Sequence, residues 1–391
     1  MIVKPRIRGF ICTTAHPTGC AASTRAQIAR ARPLDGGPSN ALIVGASGGY
    51  GLASRIVSAF GAGARTLGIS LEKAPTERRT ATAGWYNNAA FEDAAAERGL
   101  YAATLDGDAF SDEMKSRAIE EIRSSLRQID LLVYSVAAPV RRDPRTGETF
   151  RSSIKPLGEP FHVKTLNQGT GEVHEADLEP ATEEETAATV AVMGGEDWEY
   201  WIEALDDANV LAPGFRTVAY TYIGSELTWP IYWQATLGKA KEDLDRAAAA
   251  LRERLAALDG DARVAVLKAV VTQASSAIPV VPLYLSVLFR VMKDAGNHED
   301  CLAHIDRLFR TGLYPDHPAG LDEVGRLRMD DFELSEPVQS EVLRRWPLVT
   351  TENIGELGDL QGVRDDFLRI FGFGVDGVDY GADVDPLFGR G

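Results

Sequence analysis

Along residues 41–136, short and almost wholly apolar runs alternate with stretches whose apolar positions recur at helical spacing. Residues 41–44 (ALIV) predict a buried strand, and the turn after it opens a helix to about residue 60. Residues 66–71 predict a second strand, 92–98 a short helix and 101–105 a third strand. Residues 112–126 carry apolar or long side chains at helical spacing, with Ser111 or Asp112 as N-cap. Residues 129–136 (IDLLVYSV) are nearly continuously hydrophobic, as a central parallel strand buried on both faces requires. This repeat predicts an α/β fold, a doubly wound parallel sheet of Rossmann type with right-handed crossovers.

The rhythm breaks after Ala137. Residues 139–180 are rich in Gly, Pro, Thr and charge, which fits a hairpin or a long excursion rather than a helix. Helical patterns return at 183–192 and 197–208, followed by a strand at 217–223 and an amphipathic helix at 236–258. Residues 264–271 (VAVLKAVV) predict the next strand, and 279–295 an apolar helix too short to span a bilayer. Polar helical segments and a Gly-rich tail complete the chain. No internal repeat and no long linker interrupts it, so one extended domain over residues 1–391 is expected, with an insertion at about 139–230.

Composition narrows the partners. A net charge of -16 opposes binding to nucleic acid or anionic lipid. No apolar stretch reaches membrane-spanning length, and the N-terminal apolar run is too short for a secretory signal. Cys12, Cys20 and Cys301 give no even disulfide framework and suit a reducing compartment, so a cytoplasmic location is expected. Cys12, His16 and Cys20 are evenly spaced, but no fourth ligand accompanies them, and no metal is expected.

The turn Gly45-Ala46-Ser47-Gly48-Gly49-Tyr50-Gly51 lies directly between a predicted strand and a predicted helix. Glycines there permit a tight turn and close approach to a pyrophosphate, whose charge the helix N-terminus favours. A Gly-rich turn without a ligand is the plain alternative. Glu72, about 20 residues further on, ends the second predicted strand, where an acid accepts from an adenosine ribose 2′-hydroxyl and repels a 2′-phosphate. That favours NADH, with a solvated charge beside Lys73 as the alternative. Asp108 follows the third strand, where it could meet the adenine amine or simply form a turn. Open α/β sheets bind ligands beyond strand C-termini, which brings Val136 and Ala137 to the cofactor and Val270, Val271 and Thr272 to the nicotinamide side.

For chemistry the residues offer Tyr232 and Lys241, with eight residues between them in IYWQATLGKAK. Nine steps of about 100° place them on opposite sides of a straight helix, so Tyr232 must stand on the loop before it. On spacing alone Lys239 rivals Lys241, and an aromatic anchor with two surface lysines is the bland reading. Tyr220 and Tyr222 alternate onto one face of the strand at 217–223, with Tyr222 nearer its end.

Taken together, KPRIRGFICTTAHPTGC, VGASGGYGLASR, AGWYN, LDGDAFSD, VMGGEDWE, IYWQATLGKAKEDLD, VVTQASSAIPVVPLY and FGFGVDGVDYGADV resemble the FabV-type enoyl-acyl-carrier-protein reductases and the trans-2-enoyl-CoA reductases. These belong to the short-chain dehydrogenase/reductase superfamily, and the resemblance runs nearly end to end. It implies NADH-dependent reduction of the C2–C3 bond of enoyl thioesters, carried by acyl carrier protein or coenzyme A in fatty acid biosynthesis. It makes Tyr232 the proton donor, chooses Lys241 over Lys239 as its cofactor-binding partner, and gives Tyr222 to the substrate. Gly45, Ala46, Ser47, Gly48, Gly49 and Tyr50 match the pyrophosphate loop. Leu71 and Glu72 match the pair that selects NADH, although an aromatic often stands where this chain has Leu71. Asp108 and Ala109 match an adenine-side pair, Val136 and Ala137 the inner cofactor wall, and Val270, Val271 and Thr272 the nicotinamide side. The resemblance further implies a monomer in which the insertion and the N-terminal arm cover the acyl pocket. A carbonyl-reducing dehydrogenase and a dinucleotide-binding regulator without turnover are the alternatives.

Overall fold

The structure, a computed structural model, describes residues 1–8, 11–167, 169–315 and 318–388. Its centre is a seven-stranded parallel sheet built from β1 (Asn40–Val44), β2 (Arg65–Ser70), β3 (Ala102–Asp106), β4 (Ile129–Tyr134), β5 (Leu211–Thr221), β6 (Asp261–Val266) and β7 (Leu327–Arg328). The order across the sheet is β7-β6-β5-β4-β1-β2-β3, so the order in which the chain adds strands reverses between β1 and β4, all strands staying parallel. That switch point opens a crevice beyond the strand C-termini, where a nucleotide fits.

Helices cover both faces. The described helices are α1 (Pro17–Ala29), α2 (Gly49–Ile56), α3 (Ala83–Glu97), α4 (Asp112–Glu121), α5 (Glu183–Met193), α6 (Glu196–Asp207), α7 (Thr236–Leu255), α8 (Val281–Asp294), α9 (Cys301–Leu308), α10 (Glu336–Arg345), α11 (Ile354–Leu357) and α12 (Leu360–Ile370), of which α8, α10, α11 and α12 pack on one another in a separate cluster. Leu42 and Val44 of β1 face the α4, α6 and α7 side, whereas Ala41 and Ile43 face α2, α3 and α9. Burial on both faces explains the unbroken apolar runs in the sequence. No described helix is long and apolar enough to cross a membrane.

Several expected boundaries move. The helix expected at 92–98 begins at Ala83, because burial of Tyr86 and Phe91 outweighs the weak helix preference of Gly84, Asn87 and Asn88. The fifth strand begins at Leu211, six residues before the expected start, and its register shifts before Arg216, where Gly214 has φ +71°. The sixth strand stops at Val266 rather than 271, so Val270, Val271 and Thr272 lie in the loop beyond it. Helix α1 was not legible, since its apolar residues form no stripe. It is started by Pro17 and by His16, whose Nδ1 accepts from the Gly19 amide at 3.1 Å. A Cβ on Gly19 would stand 1.8 Å from the Gly372 carbonyl oxygen, so glycine lets the C-terminal segment cross this helix.

The excursion from the sheet contains two hairpins, Val140–Arg142 with Thr149–Arg151 and Phe161–Asn167 with Glu172–Leu178. The second contributes Val163 and Leu166 to an apolar cluster with Ile231, Ala269, Leu285 and Val342. Thr236 Oγ1 donates to the Ser153 carbonyl, and the Thr236 amide donates to the Lys155 carbonyl at 3.1 Å. The excursion is thereby pinned to the first turn of α7, beside Tyr232.

Candidate active site

Six segments singled out in the sequence end at the same edge of the sheet. Gly45 follows β1, Leu71 and Glu72 follow β2, Asp108 and Ala109 follow β3, Val136 and Ala137 follow β4, Tyr222 follows β5, and Val270 follows β6. Gly45 has φ +91°, and a Cβ there would lie 2.0 Å from the Ser135 carbonyl oxygen. A Cβ on Gly51 would lie 1.9 Å from the Gly45 carbonyl oxygen. Both glycines are therefore needed for the loop to fold against the end of β4, whatever it holds. Gly48 and Gly49, in contrast, are exposed at the N-terminus of α2, where free amide groups favour an anion. These residues fit a dinucleotide pyrophosphate. A cavity of about 460 Å³ runs from Gly48 and Gly49 past Val270 and Val271 to Arg30 and Arg369.

Around the loop the individual side chains divide. Ser47 donates to Glu72 Oε1 at 2.6 Å, Thr82 donates to the other carboxylate oxygen, and burial pushes the Glu72 carboxyl upward. A Cβ on Gly84 would come within 2.1 Å of Glu72 Oε1, so this glycine makes room for the carboxylate. Asn87 holds the Ser47 carbonyl at 2.9 Å. Gly84 and Asn87 carried no signal of their own beyond the AGWYN string, and Thr82, just before it, carried none. Leu71 is 74% exposed and supplies an apolar surface beside Glu72. Tyr50 offers the loop only its backbone, because its hydroxyl donates to the Lys268 carbonyl at 2.8 Å and its ring packs on Tyr220 and His304. Asp108 is exposed and shapes its turn by accepting from the Phe110 amide at 3.0 Å. Ala109 directs its carbonyl to the Trp201 indole.

Tyr220 and Tyr222 do not share a face as strand alternation predicted. Tyr220 hydrogen-bonds Ser54 on α2 at 2.6 Å, whereas Tyr222, past the end of β5, turns into the apolar cluster beneath α8. There its ring meets the Tyr232 ring edge-on, with centroids 4.8 Å apart and planes at 85°. Tyr232 stands outside α7, at the end of the short turn Trp229–Ile231, as the helical geometry required. Its carbonyl accepts from the Gly238 amide at 2.8 Å, and a Cβ on Gly238 would collide with the Trp233 carbonyl at 1.7 Å. The loop can thus fold back onto the first turn of α7 only over a glycine.

Burial pushes the Tyr232 phenol above its ordinary pKa, and its hydroxyl has no hydrogen-bond partner among the described residues. Burial is the sole cause of that shift, and the Lys241 ammonium does not offset it. Burial also holds Lys241 down to about 8, with Asp245 partly restoring it. Lys239 is exposed and paired with Glu242 at 2.8 Å, which makes it a surface residue. Cys12 and Cys20 are buried, and no metal-binding cluster of three such ligands exists among the described residues.

Three family models cover the chain. "NAD(P)H binding domain of trans-2-enoyl-CoA reductase" matches residues 2–77, "Trans-2-enoyl-CoA reductase catalytic region" matches 79–314, and "Enoyl reductase FAD binding domain" matches 321–384. The chain belongs to the trans-2-enoyl-CoA reductase family. The enoyl-[acyl-carrier-protein] reductase [NADH] of Edwardsiella ictaluri is 57% identical over 99% of this chain and 98% of its own length. The FabV enoyl-[acyl-carrier-protein] reductase [NADH] of Aeromonas salmonicida is likewise 57% identical over 99% and 98%. Treponema denticola trans-2-enoyl-CoA reductase, solved with NAD, is 49% identical, covers 98% of each chain and superposes with a TM-score of 0.94. The Clostridium acetobutulicum enzyme, solved with NADH, is 42% identical over 99% and 98%, with a TM-score of 0.95. Residues 321–384 do not fit a flavin cradle. Their described part holds one two-residue strand and no strand-glycine-helix turn, and Val338, Val342 and Val363 are spent packing on α8.

Proposed function

We propose that this chain reduces the C2–C3 double bond of trans-2-enoyl thioesters with NADH, in fatty acid biosynthesis. The observation that carries the reading is the pairing of a half-buried, uncommitted Tyr232 phenol with Tyr222 at the sheet edge that also bears the dinucleotide loop. Bound NADH supplies a hydride for C3 of the enoyl group. Negative charge then builds on the thioester oxygen, and Tyr232 hydrogen-bonds that oxygen and passes its proton to it, the resulting enol tautomerising to the saturated thioester with a proton on C2. Burial suits the role, because a phenol kept protonated is a donor. Lys241 holds the cofactor ribose through its ammonium. Glu72 takes the adenosine ribose, Leu71 and Asp108 with Ala109 flank the adenine, Val136 and Ala137 form the inner wall, and Val270 to Thr272 the nicotinamide side. The apolar cluster of Leu227, Ile231, Val163, Leu166 and α8 receives the acyl chain, with the two hairpins as its cover.

The carrier is acyl carrier protein or coenzyme A, and the enzyme works as a cytoplasmic monomer. The test follows NADH absorbance with crotonyl-CoA and with simple ketones. Consumption on the ketones alone would replace this reading by a carbonyl reductase, and NADH binding without turnover would leave a regulator.

Two further results are expected. Glu72→Ala raises the NADPH-to-NADH ratio of kcat/KM by about tenfold or more, because it removes a charge facing the 2′-position. An unchanged ratio would remove the specificity argument. Lys241 is protonated below about 8 and neutral above, so kcat/KM falls as pH rises through that value. Asp245 raises the Lys241 pKa, so Asp245→Asn moves this alkaline limb to lower pH. A limb that stays in place would separate it from Lys241.

A further inference from the structure

Glu333 lies between β7 and α10 in the acidic stretch DDFELSE, and no motif singles it out from its neighbours. It is fully buried, where a carboxylate is costly unless its lone pairs are taken up. Oε1 accepts from the Tyr222 hydroxyl at 2.9 Å and the Tyr284 hydroxyl at 2.8 Å, and Oε2 accepts from the Ala269 amide at 2.6 Å. Gln339 braces the group by donating to the Tyr284 hydroxyl at 3.1 Å and to the Glu333 carbonyl at 2.7 Å. The buried Lys268 ammonium supplies a favourable charge nearby.

Two of these donors belong to the reacting end of the site. Tyr222 carries the ring that packs edge-on against Tyr232. Ala269 directly precedes Val270, Val271 and Thr272. One carboxylate therefore ties the C-terminal segment to both the tyrosine pair and the loop after β6. It also divides the two phenols, since the Tyr222 proton is held by Glu333 while the Tyr232 proton is uncommitted.

We propose that Glu333 is a positioning residue for enoyl reduction, fixing the Tyr222 ring against Tyr232 and holding the loop 269–272 for the nicotinamide. The proposal rests on the enoyl-reductase reading and on Tyr222 standing at the substrate. Glu333→Gln tests it, because the amide has only one acceptor edge for donors arriving on two sides.

The measurement is a double-mutant cycle on the full chain with crotonyl-CoA and NADH. It is accompanied by melting temperatures and by NADH affinity read from quenching of tryptophan emission. Glu333→Gln is expected to lower kcat by about tenfold, and the double variant with Tyr222→Phe to fall no more than about twofold below the slower single variant. Additive losses would overturn the proposal, because a merely structural acid weakens the enzyme independently of Tyr222. NADH affinity is expected to weaken about threefold or more in Glu333→Gln and to hold within about twofold in Tyr222→Phe. Should wild type bind NADH without turning over crotonyl-CoA, the reaction reading fails, and this affinity comparison alone decides Glu333. Glu333→Asp, which keeps the charge, takes the place of a Glu333→Gln chain that does not fold. If neither folds while Tyr222→Phe and Tyr284→Phe both do, the role is structural and the proposal falls.

Discussion

Tyr232→Phe is expected to lower kcat for crotonyl thioester reduction by ~10²–10⁴-fold, the range of a lost general acid, while leaving the fold in place. The structure makes this a clean substitution. The Tyr232 hydroxyl has no hydrogen-bond partner among the described residues, so its removal breaks no internal bond. The residue is half-buried and its hydroxyl is not sealed from water, so no desolvation penalty is relieved and the melting temperature should hold. The phenylalanine ring still packs on Tyr222. Steady-state kinetics with a parallel thermal melt read both effects. A variant that is slow because it is unfolded would say nothing about the proton, whereas a stable variant with full activity would move the donor elsewhere.

Gly45→Ala is expected to abolish NADH binding and to destabilise the protein together. Its φ of +91° is a conformation that costs an L side chain on the order of 1–3 kcal/mol. The new methyl would also stand 2.0 Å from the Ser135 carbonyl oxygen, so the loop must lift from the end of β4. Gly48→Ala is the counterpart. Its Cβ meets nothing within 4 Å and its φ is -163°, so stability should hold and only the ligand would feel the methyl. NADH titration and melting of both variants separate a loop shaped for folding from one shaped for a pyrophosphate. Normal NADH affinity in Gly45→Ala would contradict the assignment of this loop.

Much of the frame was legible because its causes are local. Strands buried on both faces read as nearly continuous apolar runs, as β1 does from Ala41 and β4 does apart from Asp130 near its start. A glycine turn between strand and helix reflects backbone conformation, which Gly45 and Gly51 bear out. The placement of Tyr232 outside α7 followed from helix pitch alone. Periodicity could not, however, reveal where the sixth strand releases the chain. The apolar run continues through Val271, but the backbone leaves the sheet after Val266, with Leu267 donating to Thr221 and Lys268 buried.

What escaped the sequence depends on contacts between distant segments. Tyr50 sits in the glycine loop, yet its phenol is committed to Lys268, 218 residues away. Glu333 meets Tyr222 across 111 residues, and nothing in the stretch DDFELSE announces which of its acids will be buried among phenols. Lys239 and Lys241 were equivalent by composition and were separated by burial, one paired at the surface and one desolvated.

Isotope tracing tests the central claim most directly. Crotonyl-CoA is reduced with NADH deuterated at the transferring position, and the product is analysed by mass spectrometry and NMR. A saturated butyryl thioester with one deuterium at C3, and a solvent-derived proton at C2, is the predicted result. Deuterium on the carbonyl carbon, or an intact double bond after the label has been consumed, would contradict it.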